Sequence, residues 1–354
     1  MFQRKIDFSV IFCTLTLFLA PLQGTIENSV IPLMERLQYE TVPEEKLTFT
    51  QRETLERTLP YIGEKVRVMS FNMLYDIYEK KYDTEDHWKN RYYRIAELVH
   101  YALPDVIGSQ ELLPHLLADL LPLINSEYSF LGPGVKEQWG TRPQDGIFYR
   151  KSRVDLLESK HLFTSDTPMV PSENPFGKRH LVTQGHFRMK DSGKEFILLN
   201  THCAFMDGDS REYSMRFIAR YVESLRPEIP IFVTGDFNTF AFRGDLEQLP
   251  FYDGDLCQRI ITHASLNDSR EATILGTVGP IGTYTNDPST PKPTPFRGTG
   301  IPGIHLDHIY VNDALTVLNY AVEPAKVDGR FPSDHMPIIV DAILIPNDEV
   351  ERSF

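Results

Sequence analysis

Six apolar, β-prone segments of this chain each meet a carboxylate, an amide or a histidine at one end, and that repetition constrains the fold more than any other feature. Asn72 follows "VMSF", Glu111 follows "VIGSQ", Asn200 and His202 close "FILLNTH", and Asp236 and Asn238 follow "IFVTG". Asp307 opens "DHIYV", and Asp334 and His335 precede "MPIIV". An unpaired polar group buried at a strand end costs about 1–3 kcal/mol. So many are tolerated together when the strand ends converge on one cleft and the groups partner one another.

Helical patterns lie between these segments. "NRYYRIAELVHYAL" places Tyr92, Ile95, Val99 and Ala102 at helical spacing, a leucine-rich helix is expected around Leu112 to Leu121, and "SREYSMRFIARYVESL" puts Met215, Ile218, Ala219 and Val222 on one face. Further strands are expected in "DGIFYRK", "VDLLES", "LTVLNYAVE" and "MPIIVDAILI". Strands and helices mix without strict alternation, which predicts packed sheets with helices outside them. Two Pro/Gly/Thr-rich stretches, Thr164 to His180 and Gly276 to His305, read as irregular loops of a functional kind.

Taken singly, each polar residue has an ordinary explanation. Asn72 suits a turn, Glu111 suits the first turn of a helix, and "DFN" around Asp236 and Asn238 suits an Asx-type turn. His202 alone reads as a hydrogen-bonded core histidine, and Asp307 as a strand-end residue. Together they are the ingredients for hydrolysing a phosphoester with a hard divalent cation. Carboxylate and amide oxygens hold Mg²⁺ or Mn²⁺, while histidines donate to phosphate oxygens or move protons near neutral pH. Zinc suits the set less well, because thiolates and clustered histidine ligands are missing from it.

The order and wording of "SFNMLYD", "PDVIGSQE", "LLNTHC", "VTGDFNT", "LDHIYV" and "PSDHMPI" resemble the endonuclease/exonuclease/phosphatase family, whose fold is that of deoxyribonuclease I. The matching pieces run from Val66 to about Leu344. The resemblance implies a four-layer α/β sandwich, two packed central β-sheets flanked by helices, with the site at one edge of the sheets. It implies Glu111 as main metal ligand with Asn72 beside it and Asp334 binding or supporting the metal. Asp236 and Asn238 would position the attacking water and the phosphate, Asp307 would orient His335, and His202 would contact the phosphate from the other side. Both Asp236 and the His335–Asp307 pair are candidates for the base that takes the proton from water.

Composition narrows the substrate. The formal charge of −13 over 354 residues argues against an extended basic nucleic-acid surface. A small or headgroup-type phosphoester is expected: a phosphorylated sugar, an inositol, or a lipid headgroup at a membrane surface. Lys178, Arg179, Lys292 and Arg297, all on the irregular loops, are candidate phosphate-binding residues, with solvated loop charge as the alternative reading. A secreted nuclease using a small local patch is the second expectation. A catalytically silent binding protein is the third, and it predicts loss of a principal site residue, none of which is missing. No obligate protein partner is implied.

The N-terminus, "MFQRKIDFSVIFCTLTLFLAPLQGT", has two basic residues, an apolar run from Phe8 to Leu22 and small polar residues around Gly24, the layout of a secretory signal peptide. An uncleaved membrane anchor is the alternative. Residues 1–24 are therefore read as a signal, 25–64 as an N-terminal extension, 65–346 as the catalytic domain and 347–354 as a tail. Cys203 and Cys257 show no spacing that suggests a disulfide framework or a zinc site, and both read as buried thiols.

Overall fold

The structure is a computed structural model that describes residues 64–344 apart from 78, 82–83, 134–142, 240–252, 281 and 285–303. The expected signal segment, nearly all of the extension, the tail, and both Lys292 and Arg297 lie outside the described residues. The first half contains β1 (Glu64–Asn72), α1 (Trp88–Ala102), β2 (Val106–Gln110), α2 (Pro114–Ile124), β3 (Tyr128–Leu131), β4 (Ile147–Arg150), β5 (Val154–Phe163) and β6 (Leu181–Met189). There follow β7 (Glu195–His202), α3 (Gly208–Glu223), β8 (Ile231–Asp236), α4 (Leu256–His263), β9 (Leu266–Asp268), α5 (Ser269–Ala272), β10 (Thr277–Val278), β11 (Asp307–Asn312), β12 (Leu315–Val322) and β13 (Ile338–Leu344). β1 begins at Glu64, one residue inside the stretch read as extension.

The strands form a seven-stranded sheet in the order β10-β12-β13-β1-β2-β4-β3 and a six-stranded sheet in the order β5-β6-β7-β8-β11-β9. Both are mixed, and the parallel pairs β1/β2 and β7/β8 are the ones joined through helices, α1 and α3. The sheets pack face to face, burying Val68, Val106, Leu198, Phe232, Ile309 and Val340 between them. On the outer faces, Met69, Phe71 and Ile107 meet Ile95, Val99, Leu116 and Leu120 of α1 and α2. Ile197, Leu199 and Val233 meet Met215, Ile218 and Ile261 of α3 and α4. Alternate side chains of each central strand thus enter different cores, which is why "VRVMSF" and "EFILLN" are apolar almost throughout instead of alternating with polar residues. The four-layer sandwich expected from the sequence is the observed architecture.

The sheets approach closely at Gly108 in β2, where an added Cβ would collide with the Thr234 hydroxyl and the Asn200 amide oxygen. Asn200 bridges the layers there. Its Nδ2 donates to the Ser109 and Gly146 carbonyls at 2.9 and 3.1 Å, and its Oδ1 accepts from Gln110 Nε2 at 2.7 Å. This strand-end amide joins the sheets and is absent from the residues that line the cleft.

Candidate active site

Register brings the polar strand ends together. Asn72 pairs with Gln110 across β1 and β2, His202 with Asp236 across β7 and β8, and Asp307 with Asp236 across β11 and β8. Ser70 pairs with Ile338, so the turn leading into β13 lies beside the end of β1. The result is a cleft of about 410 Å³, lined among others by Glu111, Asp236, Asn238, Asp334, His335 and His202. Ligands of open α/β sheets characteristically bind outside the carboxyl ends of the strands, as here.

Asp236 is held by two hydrogen bonds. Its Oδ2 accepts from Asn72 Nδ2 at 2.9 Å, its Oδ1 accepts from the Asn238 backbone N–H at 3.0 Å, and its Oδ2 also lies 3.4 Å from His202 Nε2. Burial pushes its carboxyl up to about 6, with His335 opposing the rise. Asn238 stands between the Cys203 carbonyl at 2.9 Å and His202 Nε2 at 3.1 Å. His202 is pushed down to about 4 by burial and by His335, so it is neutral at pH 7.

His335 Nδ1 lies 2.8 Å from Asp307 Oδ2, and its Nε2 lies 3.7 Å from Asp236 Oδ2. Burial alone would depress this histidine, but Asp307, Asp236 and Asp334 outweigh it and hold the ring well above the usual imidazole range. Thr283 Oγ1 fixes the start of β11 by accepting from the Leu306 and Asp307 N–H groups at 3.0 and 3.2 Å. The Tyr284 ring packs 5.0 Å from that of His335.

Glu111 sits just past β2 with φ 64°, its Oε2 accepting from the Tyr75 N–H at 3.0 Å. Burial, then the Asp334 carboxylate, push it up to about 8. Asp334 is also raised, by burial first. Asp236, Asp307 and His335 further place ligand-type atoms within 4.8 Å of one another, and Asp307 Oδ1 is buried with no hydrogen-bond partner. Buried carboxylates that repel one another, with one orphan oxygen, fit a hard divalent cation, which would supply the missing countercharge. Of the two groupings, the Glu111–Asp334 pair fits it better, because His335 and Asp307 are already bonded to each other; Asn72 beside it is bonded through both side-chain atoms, Oδ1 accepting from the Leu74 N–H at 3.0 Å and Nδ2 donating to Asp236.

Several residues were not singled out from the sequence. Arg91 of α1, fully buried, donates from Nη1 to the Met73 carbonyl at 2.7 Å and the Pro332 carbonyl at 3.1 Å, and from Nη2 to the Leu74 carbonyl. It clamps the loop after β1 to the turn carrying Asp334 and His335, where Ser333 Oγ also donates to the Asn72 carbonyl at 2.7 Å. Asp145 accepts from the Glu111 N–H at 3.4 Å and is pushed up to about 8, mainly by burial. It precedes β4, so "QDGIFYR" carries the same signal as "DHIYV", a carboxylate opening a buried strand. His180 lines the cleft and holds the His202 carbonyl through Nδ1 at 3.0 Å. Leu74, Glu111, Asp145 and Asn238 all line the cleft with positive φ, a concentration of backbone strain characteristic of functional sites.

Of the loop cations expected at the phosphate, Arg179 lines the cleft, whereas Lys178 is exposed on an adjoining hollow. Cys203 and Cys257 are both buried and free.

A fold of this topology with carboxylates, amides and histidines at its converging strand ends defines a phosphoester hydrolase class. The profile of the endonuclease/exonuclease/phosphatase family matches residues 69–335, and the chain belongs to that family. Among solved structures it is similar to an endonuclease/exonuclease/phosphatase family protein of Bacteroides thetaiotaomicron, with 25% identity over 80% of this chain and 98% of the other at a TM-score of 0.65. A mannosyl-6-phosphatase of the same species is 26% identical over 78% of this chain and 99% of its own, with a TM-score of 0.64. TDP2 of D. rerio, solved with a single-strand DNA product, is 18% identical over 79% and 99% of the two chains at a TM-score of 0.56, a likeness of fold alone. No curated protein matches significantly.

Proposed function

We propose that this chain is a divalent-cation-dependent hydrolase of a small phosphoester, a monoester or a headgroup-type diester, acting outside the cytoplasm. The observation that carries this reading is the lining of the cleft: Glu111, Asp145, Asp236 and Asp334 supply four carboxylates, against Arg179 as the one lysine or arginine among the described lining residues. Such a wall offers no run of lysine or arginine to hold a polyanion and suits a single phosphoryl group arriving with a dication, whose charge would ionise the carboxyls that burial raises, Glu111 and Asp145. Similarity to a mannosyl-6-phosphatase supports the same reading, and the signal-like N-terminus supports export.

Hydrolysis joins the oxygen of water to phosphorus and breaks the bond from phosphorus to the ester oxygen; one proton of the water goes to a base, which later returns it to solvent, and the other stays on the new phosphate oxygen. Asp236 is the base in this account. Bonds from Asn72 and Asn238 stop its carboxylate rotating, and a value about 6 leaves it mostly ionised at neutral pH yet basic enough to accept a proton. His335, kept protonated by Asp307, donates to a phosphate oxygen. Neutral His202, set by Asn238, faces the phosphate from the opposite side. The departing alkoxide takes its proton from solvent. Glu111 and Asp334, with Asn72 beside them, would hold Mg²⁺ or Mn²⁺, which supplies positive charge against the charge building on the phosphoryl oxygens.

The test is product formation from a panel of sugar phosphates, inositol phosphates, sphingomyelin, RNA and duplex DNA, read as free phosphate for the monoesters and as phosphocholine or shortened strands for the diesters. Turnover of a small ester that stops with EDTA and returns with Mg²⁺ is expected. Turnover indifferent to EDTA, or confined to nucleic acid, would overturn the proposal.

A further inference from the structure

The cleft continues past its catalytic side chains. Arg179, His180, Ala204 and Phe205 wall it on one side and also line a second hollow of about 460 Å³. Glu173, Lys178 and Asp207 complete that hollow's polar lining. The loop that forms it is built to hold its shape. Asn174, itself buried, accepts from the Phe176 and Lys178 N–H groups at 3.0 Å each and donates to Ser210 Oγ of α3 at 2.8 Å. The bond from His180 to the His202 carbonyl ties the same loop to the catalytic floor.

The hydrogen-bonding groups here have a definite character. Arg179 Nε and His180 Nε2 are both shut from solvent with no hydrogen-bond partner. Because His180 Nδ1 donates to a carbonyl, the Nε2 of the neutral ring is an acceptor. Glu173 and Asp207 are acceptors as well; Glu173 Oε1 lies 3.8 Å from Arg179 Nη2 in a loose ion pair, and the Ser210 N–H bonds to Asp207 through Oδ1. A phosphate chain brings acceptors alone, so it could meet Arg179 Nε but not His180 Nε2 or the two carboxylates. A sugar brings hydroxyls that both donate and accept, with an apolar ring face suited to Phe205, which is 45% exposed at the junction. The cations Lys178 and Arg179 are formally cancelled by Glu173 and Asp207, leaving no surplus for a second phosphate.

We propose that the second hollow is a carbohydrate subsite and that the substrate is a hexose phosphate, free or at the end of a longer glycan. Its phosphate lies among Asp236, Asn238 and His335, its ring lies against Phe205, and its hydroxyls reach His180 Nε2 and Glu173. This rests on the reading of the cleft as a phosphoester hydrolase. The reaction transfers water to phosphorus and releases the hexose with its hydroxyl restored.

The test compares kcat/KM of the full chain with Mg²⁺ on mannose 6-phosphate, glucose 6-phosphate and glycerol 3-phosphate, the last too small to fill the hollow. A dinucleotide and phospholipid vesicles complete the panel. The wild type is expected to favour a hexose phosphate over glycerol 3-phosphate by about tenfold or more, and Phe205→Ala and His180→Phe each to erase most of that preference through KM. A wild type without the preference, or a preference that both folded variants keep, overturns the subsite, as does selective turnover of the dinucleotide or the vesicles. If no ester is hydrolysed, the catalytic reading fails separately. Calorimetric binding of mannose 6-phosphate, weakened by Phe205→Ala, then still upholds the subsite, and absence of binding overturns it.

Discussion

Two aspartate–histidine pairs sit back to back on β11, and in each the histidine Nδ1 lies 2.8 Å from an aspartate Oδ2. Asp307 and His308 are neighbours in sequence, so their side chains leave opposite faces of the strand. Asp307 takes His335 as partner beside the cleft. His308 takes Asp268 in a compartment where both side chains have no exposure, enclosed by the rings of His305 at 4.5 Å, Tyr310 at 5.2 Å and Phe237 at 5.9 Å. The far nitrogen of His335 looks toward Asp236, whereas His308 Nε2 is buried without a hydrogen-bond partner. Pair geometry alone therefore assigns no function. The first pair has other carboxylates and a cavity around it; the second is closed in by packed rings and joins β9 to β11 while Asp268 caps the short helix α5.

The largest difference is expected in catalysis. His335→Ala or Asp236→Ala should lower kcat by roughly 10³-fold; Asp236→Ala should hold the thermal midpoint, because one of several mutually repelling carboxylates is removed, whereas His335→Ala also leaves Asp307 buried without its partner and should lower it. Steady-state kinetics and calorimetry on the same preparations check this, and near-wild-type kcat in both variants would break the comparison. The sealed pair should behave differently. Asp268→Ala or His308→Ala should cost about 3 kcal/mol of unfolding free energy, by leaving one buried partner alone, while the folded protein keeps kcat/KM within roughly threefold. A large kinetic loss without destabilisation would show that this pair too serves the reaction.

Smaller effects sharpen the contrast. Arg91→Lys keeps the charge but replaces a planar fork, whose two nitrogens reach separate carbonyls, with a single ammonium, so kcat should fall about 10-fold or more with KM little changed, since the turn carrying His335 loses its tie to the end of β1. Asp145→Asn should lower activity by a few-fold, because it disturbs the N–H of Glu111 and no reacting atom. The smallest effect is in acid. Burial would raise Asp268, but its bond to His308 prevails and holds it below the usual carboxylate range. A depressed folded value means stability that is fully present above about pH 4 and is lost as pH falls through the folded value. Asp268→Asn should flatten that acid decline, measurable by denaturant melts between pH 5 and pH 3, both approximate limits.

Much of this was legible in the sequence because it follows from local pattern. Strands buried on both faces announce themselves as continuous apolar runs, and their polar ends stand out against them. β6 was harder to see, since "LVTQGHFRM" buries Thr183 and Gln184 and reads as mixed. Partnership was harder still. "HLDHIY" offers an aspartate and two histidines within four positions, and only the strand register says that Asp307 faces the cleft while His308 faces the core. Asn200 carried the same strand-end signal as Asn72 yet joins the sheets, because Gly108 opposite it lets the layers close. Arg91 gives no chemical signal at all, being an arginine on a helix whose contacts come from segments far away in sequence.

The account stands on water attacking phosphorus in the cleft, with Asp236 as base. Hydrolysis of a hexose 6-phosphate in ¹⁸O-water with Mg²⁺, followed by mass spectrometry of both products, tests it most directly. One labelled oxygen in each phosphate released, none in the sugar, and labelled phosphate formed roughly 10³-fold more slowly by Asp236→Ala is the predicted result. Label in the sugar hydroxyl, or labelled phosphate formed at an undiminished rate by the Asp236 variant, would contradict it.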